Sequence, residues 1–225
     1  MLYVYAVTEA GAFPSEPGIG GAPTHSVLEA GLAVIVSDIE ASAPKLDEDD
    51  MWTHESVVES VMGTSPVLPM RLGTILPAED DVRALVRERR DELAEALERV
   101  RGAVELGLRA AIASPARPAL ATAGAPEERA MSGSEYMRER LDAKQRADEL
   151  ARRIHEPLAS VARESSYSMR GADGSQMRAS YLVDDDAVEE FQRCVEALER
   201  DDIVSTITCT GPWPPYSFVA LRSPT

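Results

Sequence analysis

The sequence predicts an α+β protein of two domains. Residues 1–102 form an N-terminal unit with a mostly antiparallel sheet and helices. Residues 103–225 form a C-terminal unit that is ferredoxin-like, β-α-β-β-α-β, with a long helix. Three observations lead there. The chain has 225 residues, more than one average domain needs. Period-two alternation at residues 104–112 follows directly on a helical stripe and a glycine, Gly102. From residue 104 the patterns run strand, helix, strand, strand, helix, strand, whereas before it they run β-β-β-α-β-α.

Residues 2–7, rich in Tyr and Val, read as a strand. A Gly- and Pro-rich turn covers residues 14–23. Residues 25–28 and 32–37 read as two strands joined at Glu29-Ala30-Gly31, a hairpin signal. The acidic residues 47–50 read as a loop before a short helix, which sets Val57, Val58, Val61 and Met62 on one face and stops at Gly63. Residues 67–71 read as a strand, and Pro69 assigns it to an edge or a bulge. Residues 77–101 then read as one long helix. Pro77 suits the first turn, Glu79, Asp80 and Asp81 complement the dipole, and Gly102 caps the end. Its stripe is Val82, Leu85, Val86, Leu93, Leu97 and Val100.

In the second half, Val104, Leu106, Leu108, Ala110 and Ile112 alternate with Glu105, Gly107, Arg109 and Ala111, which predicts a strand. Residues 114–131 are rich in Pro, Ala and Gly without period, and are expected to be a mobile surface loop. Ser132 and Glu135 have capping-box spacing. The helix after them carries Tyr136, Ala143, Ala147, Leu150, Ile154, Leu158 and Val161 at threes and fours, with Pro157 expected to kink it or split off a last short turn. Residues 167–170 and 177–183 read as strands around a turn at 171–174. Asp184, Asp185 and Asp186 are expected to cap a helix with Val188, Phe191, Val195 and Leu198 on one face. Residues 203–210 close the pattern as a strand.

Charge narrows the partners. The chain has 39 acidic against 23 basic residues, a formal net charge of −16. Such a surface repels phosphate backbones and acidic lipid, so neither nucleic acid nor membrane is an expected partner. The longest apolar run, residues 31–36, is far too short to span a bilayer. The N-terminus lacks a basic segment followed by an apolar one, so a cytoplasmic location is expected.

No residue set suggests catalysis, a cofactor or a metal. Cys194 and Cys209 form no disulfide framework and are expected to be buried, quiet thiols. His54-Glu55 is not followed by a second histidine at metal spacing, and His25 and His155 also stand alone, so all three read as structural or solvated. Gly18-Ile19-Gly20-Gly21 precedes no helix start and makes a poor phosphate cradle. The acidic runs 47–50 and 184–186 lack EF-hand spacing, and capping or solvation explains them better.

The string Gly211-Pro212-Trp213-Pro214-Pro215-Tyr216-Ser217-Phe218 is unusual. Three prolines fix φ and remove N–H donors, so it is expected to leave the sheet as a rigid extended segment. Trp213, Tyr216 and Phe218 give it three aromatic anchors, which serve either as a structural clamp or as a partner contact. This string resembles the C-terminal signature of the gas vesicle accessory proteins F and L. The likeness continues in order through Tyr3-Val4-Tyr5-Ala6-Val7, residues 32–38, His54-Glu55, residues 67–74, residues 104–108 and Ser180-Tyr181-Leu182-Val183. One departure is Leu72, where the family more often has Phe.

The resemblance implies a non-enzymatic, chaperone-like assembly factor of two α+β domains, cytoplasmic and associated with gas vesicles. Its implied partners are the small, very hydrophobic gas vesicle shell protein and other gas vesicle accessory proteins. An apolar subunit aggregates unless it is covered before it joins the shell. Two other classes stand beside this one. A small-ligand-binding regulator rests on the ferredoxin-like fold alone. An acylphosphatase-like hydrolase needs an Arg in a phosphate-cradling loop after the first strand of that fold, and the segment around Arg117 is too proline-rich for one.

Overall fold

The N-terminal run of Tyr and Val becomes the centre of a sheet. In the computed structural model, which describes residues 1–40, 45–112, 133–171, 176–201 and 204–219, strand β1 (Leu2–Glu9) is buried along nearly its whole length. It pairs antiparallel with β3 (Leu32–Asp38) on one side. On the other it pairs with β4 (Val67–Pro69) and the two-residue β5 (Ile75–Leu76). β2 (Thr24–Glu29) lies outside β3, giving the order β2-β3-β1-β4. The β1–β3 register slips between Val4 and Ala6, and this bulge lets Tyr3, Tyr5 and Ala6 all join one core.

The hairpin between β2 and β3 turns on two residues with positive φ, Ala30 at 50° and Gly31 at 83°. Helix α1 (Glu48–Met62) begins with a capping box between Asp47 and Asp50, so the acidic run is a helix start and not the expected loop. Its buried face, His54, Val57, Val58 and Val61, covers the sheet. The strand expected at 67–71 stops at Pro69. Met70 N still donates to Tyr5 O at 2.8 Å, and Gly73 (φ 82°) turns the chain into β5.

The single helix expected at 77–101 is two: α2 (Glu79–Glu88) and α3 (Arg90–Val100), separated at Arg89 (φ −119°, ψ 17°). No Gly or Pro marks the break. The apolar stripe has a gap between Val86 and Leu93, filled by charged residues. Breaking there lets α2 pack on β2 and β5 while α3 packs on β4 and β1.

Contacts divide the chain into two units. The first is Met1–Glu105 together with the segment from Pro212, and the second is Leu106–Gly211. This differs from the expected division at 102/103, because the chain returns to the first unit at its end. The second unit holds most of β6 (Ala103–Ile112), then α4 (Gly133–Ala159), β7 (Glu164–Arg170), β8 (Gln176–Asp184), α5 (Val188–Glu199) and most of β9 (Val204–Trp213). Its sheet order is β7-β8-β6-β9. The core contains Leu106, Leu108, Ile154, Leu158, Tyr181 and Phe191.

Three local expectations change here. α4 continues through Pro157 to Ala159 with no separate last turn split off, although the proline removes the N–H that would bond the Arg153 carbonyl. Asp185–Ala187 is a 3-10 turn, and no aspartate side chain caps α5. β9 runs on through Gly211 and Pro212 to Trp213, so the proline string does not leave the sheet at 211 as expected. β9 is an edge strand, where a proline forfeits no ladder bond on its open side. The loop at 114–131 with Arg117, the cap residue Ser132, the turn residues 172–174 and Ile203 lie outside the described residues.

Candidate functional site

Helix α1 presents two surfaces. Its buried face meets the sheet, while Met51, Trp52 and Glu55, at i, i+1 and i+4, lie along its more exposed flank. The C-terminal string comes to this side. Pro214 and Pro215 are buried, and Tyr216–Phe218 form a 3-10 turn. Together Met51, Trp52, Glu55, Trp213 and Tyr216 line a groove of about 200 Å³. The chain has two tryptophans, and both line it.

Hydrogen bonds to Glu55, Glu105 and Arg99 hold the string. The Tyr216 hydroxyl donates to Glu55 Oε2 at 2.8 Å. Ser217 donates from its backbone N to Glu105 Oε2 at 2.7 Å and from its hydroxyl to Glu105 Oε1 at 2.5 Å. The Arg99 guanidinium donates to the Phe218 carbonyl at 2.5 Å. Glu105 is itself buried, and these two donors are what make a carboxylate tolerable there.

The three aromatic anchors have different surroundings. Phe218 is buried at 7% exposure, Tyr216 is half-buried, and Trp213 is 36% exposed. Trp213 is thus less covered than Phe218. Trp213 ends an edge strand, and its indole lies at the groove with Trp52, which is 54% exposed.

Burial pushes the Glu55 carboxyl up, opposed by the Tyr216 bond and reinforced by Glu59. Burial also raises the Tyr216 phenol, with the Glu55 charge adding to it. Glu55 Oε1 is buried and has no hydrogen-bond partner among the described residues.

The residue before Glu55, His54, ties α1 to the sheet. Its Nε2 lies 3.1 Å from the Met70 carbonyl, which only accepts, so Nε2 carries the hydrogen. Nδ1 then accepts from the Tyr3 hydroxyl at 3.1 Å, and Tyr3 in turn accepts from Gly73 N at 2.9 Å. Burial pushes the His54 imidazole down to about 4, so it is neutral at pH 7.

The remaining candidates are structural in their surroundings. His155 meets Tyr181 at 2.9 Å and Ser165 at 3.3 Å in the second unit, with burial lowering its pKa. His25 lies 3.8 Å from Glu79 on the surface. Gly18 packs where a Cβ would stand 2.3 Å from the Tyr5 hydroxyl, so this glycine serves close approach. Cys194 and Cys209 pack against the core but are only partly buried, unlike the full burial expected. Cys209 sits on edge strand β9, and burial raises its thiol. Among the described residues no group of three His, Cys, Asp or Glu could hold a metal ion, and no helix is long and apolar enough to cross a membrane.

Sequence reasoning singled out the string but not what receives it. Two signals were present. Trp52 places a large apolar residue off the Val57–Val58–Val61 stripe, and Glu105 puts a charge between Val104 and Leu106 at the apolar start of a strand.

Residues 1–220 match the family described as gas vesicle synthesis protein GvpL/GvpF. The chain is 31% identical to gas vesicle protein L of Streptomyces sp. (strain CB03234), over 98% of this chain and 93% of that protein. It is 25% identical to gas vesicle protein F1 of Halobacterium salinarum, with the same two shares. Its fold is similar to the crystal structures of GvpF from Anabaena sp. PCC7120 (TM-score 0.78, 19% identity, 99% of this chain and 97% of that one) and from Microcystis aeruginosa (TM-score 0.73, 22% identity, 96% and 98%).

Proposed function

The chain belongs to the gas vesicle synthesis protein GvpL/GvpF family, and we propose that it is a non-enzymatic assembly factor for gas vesicles. It binds the small hydrophobic shell protein and other accessory proteins in the cytoplasm and limits their aggregation before the shell grows. The family match over residues 1–220 carries this reading.

Physical chemistry supports the binding part. A shell subunit with exposed apolar surface aggregates in water, so a factor that covers it needs exposed apolar contact area on a rigid scaffold. Met51, Trp52 and Trp213 supply such area, and the anchoring of Tyr216, Ser217 and Phe218 holds the segment next to it in place. In this reading the string has both roles weighed for it: Phe218 and Tyr216 clamp, and Trp213 is offered to a partner. The ferredoxin-like reading of the second unit belongs to the same proposal, supported by its element order and its sheet order β7-β8-β6-β9.

Deleting the gene in its host tests the role. Shell protein should still be made but no vesicles should form, and re-expression of the intact chain should restore them. Normal vesicles in the deletion strain would contradict the proposal.

A further inference from the structure

The groove on α1 carries chemistry that anchoring the tail does not use. Glu55 gives Oε2 to Tyr216, while Oε1 is out of contact with water and meets no donor among the described residues. A carboxylate oxygen in that state is unfavourable until a donor reaches it. Trp52 and Trp213, whose indoles are partly open to solvent, and Met51 line the same groove. Indole faces are the strongest aromatic platform for a cation. The surroundings are acidic too. Glu59 acts on Glu55 along the same helix, Asp47, Glu48, Asp49 and Asp50 lie at its start, and no lining residue of the groove is basic.

We propose that this groove receives one arginine side chain of a partner protein, its guanidinium stacked on the tryptophan rings and hydrogen-bonded to Glu55 Oε1. Arginine suits the site better than lysine because its planar fork stacks on an indole and reaches a carboxylate at the same time. Met51 and the ring edges favour apolar residues beside that arginine. Admission requires an indole to turn aside, and both are surface side chains. The inference rests on the reading of this chain as a protein that binds other proteins.

Both tryptophans line the groove, so their fluorescence reports on it directly. The intact chain is titrated with the peptide acetyl-Leu-Arg-Leu-amide and with its citrulline isostere, which keeps the planar shape but replaces one terminal NH2 by a carbonyl and so loses the charge and part of the donor fork. The arginine peptide should give a saturable change, and the citrulline peptide should bind at least about tenfold more weakly. Glu55→Gln should bring the two peptides within about twofold of each other. Trp52→Leu, at an exposed position, should weaken the arginine peptide by about fivefold without moving Tm, and it keeps the test open if Glu55→Gln unfolds. Equal binding of the two peptides, no saturable change, or an undiminished preference in both variants would overturn the proposal. None of these results bears on the gene-deletion phenotype, so failure here and failure of the assembly role are distinguishable.

Discussion

His54 offers a pH test of how α1 is fixed against the sheet. The unfolded chain binds a proton at this imidazole near its ordinary value of 6.5, whereas the folded chain resists until about pH 4. Protonation in the fold would put a second hydrogen on Nδ1, which now accepts from Tyr3, and would leave a charge in a site 3% exposed. The folded pKa is depressed, so the unfolded state binds more protons between the two values, and stability falls as pH falls through that window. Above pH 6.5 His54 contributes no slope, and below about pH 4 its loss is complete. At about 1.4 kcal/mol per pH unit, the gap is worth about 3 kcal/mol. Denaturant titration read by tryptophan fluorescence follows the first unit, since Trp52 and Trp213 both lie in it. His54→Gln should be less stable than the parent at pH 7.5 by about 1–3 kcal/mol, because Tyr3 or Met70 loses its partner. That difference should shrink or reverse by pH 4, as the parent alone loses the histidine contribution. A constant difference from pH 7.5 to pH 4 would refute the assignment of a neutral, doubly bonded imidazole.

Other outcomes follow from burial and backbone geometry. Phe218→Ala should lower stability by about 3 kcal/mol, while Trp213→Ala at its exposed position should cost less than about 1 kcal/mol; thermal melts compare the two. Equal losses would mean that Trp213 is part of the clamp. Ala30 holds φ at 50°, a conformation that disfavours Cβ, so Ala30→Gly should stabilise by up to about 1 kcal/mol in the same melts. A loss of stability there would count against the two-residue turn.

Much of the fold was legible because the helices bury one face and the central strands β1 and β3 are dense in Tyr, Val and Ile. Val57, Val58 and Val61 marked the inner side of α1, and Glu29-Ala30-Gly31 marked the hairpin. The break at Arg89 was not legible, since no residue there breaks a helix and the split arises from two packing surfaces. β5 has two residues and cannot show a period. The string at 211–218 was visible as a composition, but its path was not. Pro212 stays in β9 only because that strand is an edge, which is a property of the sheet. Its receptors were hidden by distance along the chain: Glu55 is 161 residues from Tyr216, and Glu105 is 112 from Ser217. Local patterns carry no information about pairs so far apart. Glu55 itself reads as an ordinary helix-surface acid until it is seen to accept from Tyr216 and to share a groove with the two tryptophans.

The central claim is that this chain binds the shell protein before assembly. The most direct measurement is co-expression of the tagged chain with the shell protein of the same gas vesicle system, followed by pull-down and comparison of soluble and pelleted shell protein. Shell protein should co-purify with the chain, and its soluble fraction should rise relative to expression with an unrelated acidic protein. Shell protein that stays in the pellet and is absent from the pull-down, with the chain itself folded and soluble, would contradict it.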